Sequence, residues 1–185
     1  ASLRQVMTRD FLKTLTRKYD AYVDSFRDGC GALPQLMELK REHTRCVIDD
    51  ARRIMAGEAW PEEACATGEA CALLHDAGRY SQLQEFGTFQ DAKSLDHAAR
   101  AVEVIEAEDW LGELPQEERT TVLTAVALHN KRELPPAVDA AAAAFAHLVR
   151  DADKLDIFRV MATAVADGSL ESSPEIAWEL RVKGT

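Results

Sequence analysis

An imidazole followed at once by a carboxylate can grip one cation from a single turn of chain. His75-Asp76, in the run Leu-Leu-His-Asp-Ala-Gly-Arg-Tyr from Leu73 to Tyr80, is such a pair. His43 lies upstream of it, His97 and His129 follow, and Asp153 stands in Asp-Ala-Asp-Lys-Leu-Asp, Asp151 to Asp156. Neutral imidazoles and ionised carboxylates are ligands for divalent transition metals, and a mixed N/O set without thiolate favours Mn, Fe, Co or Ni over a structural zinc. The chemistry such a set supports is hydrolysis, in which bound ions polarise an oxygen of the substrate and lower the pKa of water.

For these side chains to meet, each must lie on the inward face of its own element. His43 shares a helical stripe with Leu36, Leu39, Val47 and Ile54, and His97 shares one with Ala101, Val104 and Ile105. His129 follows Val122, Ala125 and Val126, and Asp153 is in line with Ala146, Val149, Ile157 and Val160. Taken singly, each histidine also fits a hydrogen-bonded core residue, and Asp153 also fits a buried cap or a salt bridge to Arg150. His147, without an equally clean stripe, reads as structural.

The punctuation of the chain gives an all-α fold of about six helices in one domain spanning residues 1–185. An N-terminal helix runs from Leu3 to about Arg27 and stops at Asp28-Gly29-Cys30-Gly31, within a segment 1–33 that precedes a core of about 34–167. Pro34 opens a second helix to about Ala56, and Pro61 a third that ends near His75. Arg79 to Lys93 lacks sustained periodicity and reads as a long loop or a short helical turn. Ser94 is the expected cap of a fourth helix to about Ala107, Pro115 starts a fifth reaching His129, and Asp139 caps the last, to about Asp167. In the tail, 168–185, the alternation of Ile176, Trp178, Leu180 and Val182 suits a strand or extended arm.

The ordered set His43, His75-Asp76 and Asp153 with Lys154-Leu155 after it resembles the HD superfamily of metal-dependent phosphohydrolases, over about Leu36 to Val165. The resemblance implies that His43, His75, Asp76 and Asp153 hold one metal, with Asp151 as the competing choice for the distal ligand. Members with two further histidines between the doublet and the distal aspartate hold two ions, an arrangement that His97 and His129 match. The dinuclear subset includes phosphodiesterases, diadenosine tetraphosphate hydrolases and a few oxygenases. No Gly-Tyr-Pro motif is present, which weakens a cyclic-di-GMP reading.

The implied enzyme is a phosphohydrolase of small phosphoesters, nucleotides included, with Asp76 bridging two metals. Arg79 and Lys154 are placed to clamp a phosphate or leaving group, and Lys131 and Arg132 to form a rim, though all four also suit ordinary surface charge. Phe86 and Phe89, in the stretch Gln82 to Lys93, suit either a cover for a nucleobase or the core. A di-iron oxygenase with the same six ligands and a noncatalytic sensor are the alternatives.

Composition narrows the partners. A formal net charge of −10 argues against a duplex nucleic acid, whose backbone needs a basic stripe. No apolar run approaches the ~20 residues of a membrane span, and no secretory signal is visible at the start, so a cytoplasmic protein is expected. Cys30, Cys46, Cys65 and Cys71 form no C-x-x-C pair and read as reduced thiols. A homodimer is compatible with the sequence.

Overall fold

A computed structural model describes residues 7–169, and the expected start of the first helix at Leu3 and the alternation at Ile176 to Val182 lie outside the described residues. The described residues are all-α, with seven α-helices: α1 (Arg9–Asp24), α2 (Gln35–Gly57), α3 (Glu62–Leu74), α4 (Gly78–Phe86), α5 (His97–Ala107), α6 (Gln116–Leu128) and α7 (Ala140–Ala166). None of these helices is long and apolar enough to cross a membrane.

Local chemistry sets most of the boundaries. Thr8 caps α1 by accepting from the Phe11 N–H, and Asp139 caps α7 by accepting from Ala141 and Ala142. Pro34, Pro61 and Pro115 stand just ahead of α2, α3 and α6, where a missing N–H costs nothing. The cap of α5 is Asp96 rather than Ser94: its carboxylate accepts from Ala98 and Ala99, and a charged acceptor serves a helix N-terminus better than a hydroxyl. Ser94 instead donates to Gln90 O and accepts from Gln82 Nε2.

The stretch 79–93 holds a nine-residue helix, α4, and a short 3₁₀ turn at Asp91–Lys93. Its periodicity is weak because Gly78, Arg79, Tyr80 and Gln82 are all buried, so polar groups stand where an apolar stripe would be sought. Gly87, at φ 67°, ends α4 in the left-handed region that glycine enters without a Cβ penalty.

The frame is α2, α3, α6 and α7 packed on one another, with α1 against α3 and the α4–α5 pair against α2 and α6. Small side chains allow close approach: Ala51, Ala70, Ala125, Ala146 and Ala152 are inaccessible to solvent, with Val47, Leu74, Val122 and Val149 filling between them. At the start of α4 the approach is closer still. A Cβ on Gly78 would lie 2.5 Å from His97 O and 2.6 Å from Ala101 N, so only glycine lets α4 sit on the backbone of α5.

Candidate metal centre

Six side chains from five helices and their ends converge at the middle of this frame. His43 comes from the middle of α2 and Asp153 from the middle of α7; His75 and His129 are the C-terminal caps of α3 and α6; His97 opens α5; and Asp76 sits in the turn between α3 and α4. All but Asp153 are buried, and the Asp153 side chain is 21% exposed.

Each ring is oriented through its Nδ1. His75 Nδ1 donates to Ala72 O at 2.7 Å and His129 Nδ1 to Val126 O at 2.7 Å. Both use a carbonyl three residues back, in the last turn of the helix, and Val126 O accepts from the His129 N–H as well. A carbonyl can only accept, so both rings carry their proton on Nδ1 and present a lone pair at Nε2. His43 and His97 are held by carboxylates instead, Nδ1 lying 2.6 Å from Asp156 Oδ2 and 2.6 Å from Asp91 Oδ2 respectively. Such outer partners orient metal-binding imidazoles and fix their tautomer.

The four Nε2 atoms then divide between the two oxygens of Asp76. Oδ2 lies 3.7 Å from His43 Nε2 and 3.5 Å from His75 Nε2. Oδ1 lies 3.6 Å from His97 Nε2 and 4.0 Å from His129 Nε2. Asp153 Oδ1 closes the first half, 3.0 Å from His43 Nε2 and 3.8 Å from His75 Nε2. Asp151, the competing choice, is exposed on α7.

The residues fit a metal ion on three counts. First, His43 Nε2 and His75 Nε2 are buried atoms without a hydrogen-bond partner among the described residues, a costly state that a cation relieves. His43 Nε2 is near Asp153 but not aligned to bond it. Second, His97 Nε2 and His129 Nε2 stand 3.1 Å apart. Burial pushes both imidazoles down, His129 to about 4, with Arg79 adding to the effect on His97 and the neighbouring His75 to that on His129. Neutral rings protonated at Nδ1 aim two lone pairs at each other, and ligands about 2.1 Å from one ion at a right angle would be about 3 Å apart. Third, His43, His75 and Asp76 form one cluster with metal-ligand spacing, and Asp76, His97 and His129 another.

The electrostatics agree. Against the upward push of burial, Lys40 and the nearby rings hold the Asp76 carboxyl well below the usual carboxylate range. Burial and Lys40 pull His43 down, but Asp153 and Asp156 outweigh them and raise it to about 9, so a proton stands where a cation could.

The other residues singled out in the sequence are less central. Arg79 is buried beside Asp76, Nε 3.5 Å from Oδ1, while Nη1 is taken by Gln82 Oε1, Phe89 O and Asp91 Oδ1. Lys154 and Arg132 are exposed, Lys131 pairs with Asp96, and His147 is on the outer face of α7. Phe89 is buried and Phe86 is 42% exposed.

Three groups escaped the sequence reading. Lys40, Asp156 and Asp91 bear directly on the centre, and each is a charged residue of a type that is ordinarily exposed. The available signal was helical register: Lys40 is one turn before His43, and Asp156 one turn after Asp153.

The all-helical frame and the buried His/Asp cluster are compatible with an HD-type fold, and the cluster could hold a metal ion. Comparison with family models, with curated proteins and with solved structures gave no match.

Proposed function

We propose that this protein is a metal-dependent phosphohydrolase of the HD type, acting on a small phosphoester such as a nucleotide. The observation that carries the reading is the division of four oriented imidazoles into two pairs, each facing one oxygen of Asp76. His43, His75 and Asp153 would hold one divalent ion, His97 and His129 a second, and Asp76 both. Ions so held supply Lewis acidity toward a phosphoryl oxygen and a water of lowered pKa.

The chain's own residues do the rest. Asp156 and Asp91 keep His43 and His97 turned inward, and the carbonyls of Ala72 and Val126 do the same for His75 and His129. Burial of the five inner ligands keeps bulk water from competing for them. Asp153, the one partly exposed ligand, marks the side from which a substrate approaches.

The test is a metal analysis joined to a substrate panel. Protein loaded in turn with Mn, Fe, Co and Ni is expected to carry two equivalents and to release phosphate from at least one phosphomonoester, phosphodiester or nucleotide. Fully loaded protein that turns over none of them would overturn the reading, as would oxygen consumption without phosphate release. His97→Ala is expected to keep one equivalent, since His43, His75 and Asp153 remain.

A further inference from the structure

Lys40 is a lysine where lysine is rarely found. Its side chain is only 11% exposed, its ammonium lies 3.0 Å from Asp76 Oδ2, and the Phe89 ring centroid is 5.5 Å away. One turn before His43, it shares the inner face of α2 with Met37, Thr44 and Val47. Arg79 flanks the same ring from the loop side, at 5.7 Å. Asp76 is thus met by a cation on each oxygen: Lys40 on Oδ2 and Arg79 on Oδ1.

The two cations differ in how they are held. Three acceptors hold Arg79 Nη1 and anchor the guanidinium, while its buried Nε, 3.5 Å from Asp76 Oδ1, makes no hydrogen bond among the described residues. Lys40 Nζ carries three donors, and among the described residues its hydrogen bond is the one to Asp76 Oδ2. Of these two cations, Lys40 is also the more accessible to solvent. Any ion that takes up Asp76 Oδ2 deprives the ammonium of that partner. A buried ammonium then needs another anion.

We propose that Lys40 is the residue that receives the anionic group of the substrate, donating to a non-bridging oxygen of a tetrahedral oxyanion such as a phosphoryl group. The inference rests on the phosphohydrolase reading above and adds a residue to it. A compact ammonium with rotatable donors suits an oxyanion whose oxygens shift during an in-line displacement, where a fixed guanidinium fork does not.

Inorganic phosphate is the probe, titrated calorimetrically into metal-free and Mn-loaded protein, with metal content measured in each sample. Lys40→Met is expected to keep its Mn, bound as tightly as in the wild type or tighter because nothing competes for Asp76 Oδ2, while phosphate binding weakens roughly tenfold or more. Lys40→Arg is expected to recover part of that loss. Equal phosphate affinity in loaded wild type and Lys40→Met overturns the inference and leaves the phosphohydrolase reading standing, since Lys40 is then a counter-ion only. Loaded wild type that binds no phosphate also overturns it. Wild type that takes up no metal yet loses phosphate binding on Lys40→Met sinks the two-metal reading and keeps the anion site. If Lys40→Met fails to fold, Lys40→Gln gives the same readout with a polar side chain of similar length.

Discussion

Two clusters of buried charge in this molecule make a controlled comparison. On α3, the Glu69 carboxylate is almost fully buried, and each of its oxygens is answered: Arg9 bonds Oε1, while Arg52 bonds Oε2 with Nε at 2.9 Å and Nη2 at 2.8 Å. Just beyond the end of the same helix, Asp76 is equally buried, yet the imidazole nitrogens around it include two with no partner and two that face each other. The first cluster is complete as protein and the second is not. The helix that carries a fully answered carboxylate along its length leads, at its C-terminal end, to imidazole nitrogens that the protein itself leaves unanswered.

The sharpest way to break this comparison is to remove each carboxylate. Asp76→Ala is expected to abolish metal uptake at both halves of the centre, falling from two equivalents to none by elemental analysis; a variant that retains two would show that Asp76 bridges nothing. Glu69→Gln is expected to leave metal content unchanged and to lower stability by about 2 kcal/mol in a denaturant titration. That figure is below the ~3–5 kcal/mol for breaking a closed pair, because Arg9 and Arg52 are 45% and 54% exposed and can turn to water. Loss of metal on Glu69→Gln would mean the two clusters are coupled.

A third, smaller test uses the neutral network packed behind the centre. Tyr19 OH is 2.9 Å from Tyr80 OH and donates to Thr44 Oγ1, and burial pushes the Tyr19 hydroxyl from 10.0 up to about 12. A pKa raised by folding means that the contribution to stability is complete below pH 10 and is lost as the pH climbs through 12. Between pH 9 and pH 11 the wild type should lose about 1.4 kcal/mol more than Tyr19→Phe, measured as the difference in urea midpoints. Parallel pH profiles would show that this network carries no such linkage.

The same contrast explains what could be read from the sequence. Where apolar residues recur at helical spacing, as around His97 with Ala101, Val104 and Ile105, both the element and its inward face were legible, and all four are buried. On α2 the register was less plain. Leu36, Leu39 and Ile54 of the expected stripe are only partly buried, and the buried face runs through Met37, Lys40, His43, Thr44, Val47, Ala51 and Met55. Hydrophobicity locates a face by its apolar members, so a face that carries ligands and their counter-ions is displaced from its true position. The helix α4, expected as a long loop or a short helical turn, was not legible in its full extent for the same reason: its buried residues are Gly78, Arg79, Tyr80 and Gln82. The turn at Asp91 draws its order from Arg79, Gln82 and His97, partners that no local spacing reveals.

Gly78 carries a consequence that reaches beyond packing. His43 and His75 belong to α2 and α3, whereas His97 rides on α5, and α5 rests against α4 at the one residue that has no side chain. A side chain at Gly78 would therefore push α5, and His97 with it, away from the turn that carries Asp76. In a chain with the same six side chains but a larger residue at this point, His97 and Asp76 would stand farther apart and the second half of the cluster would be wider.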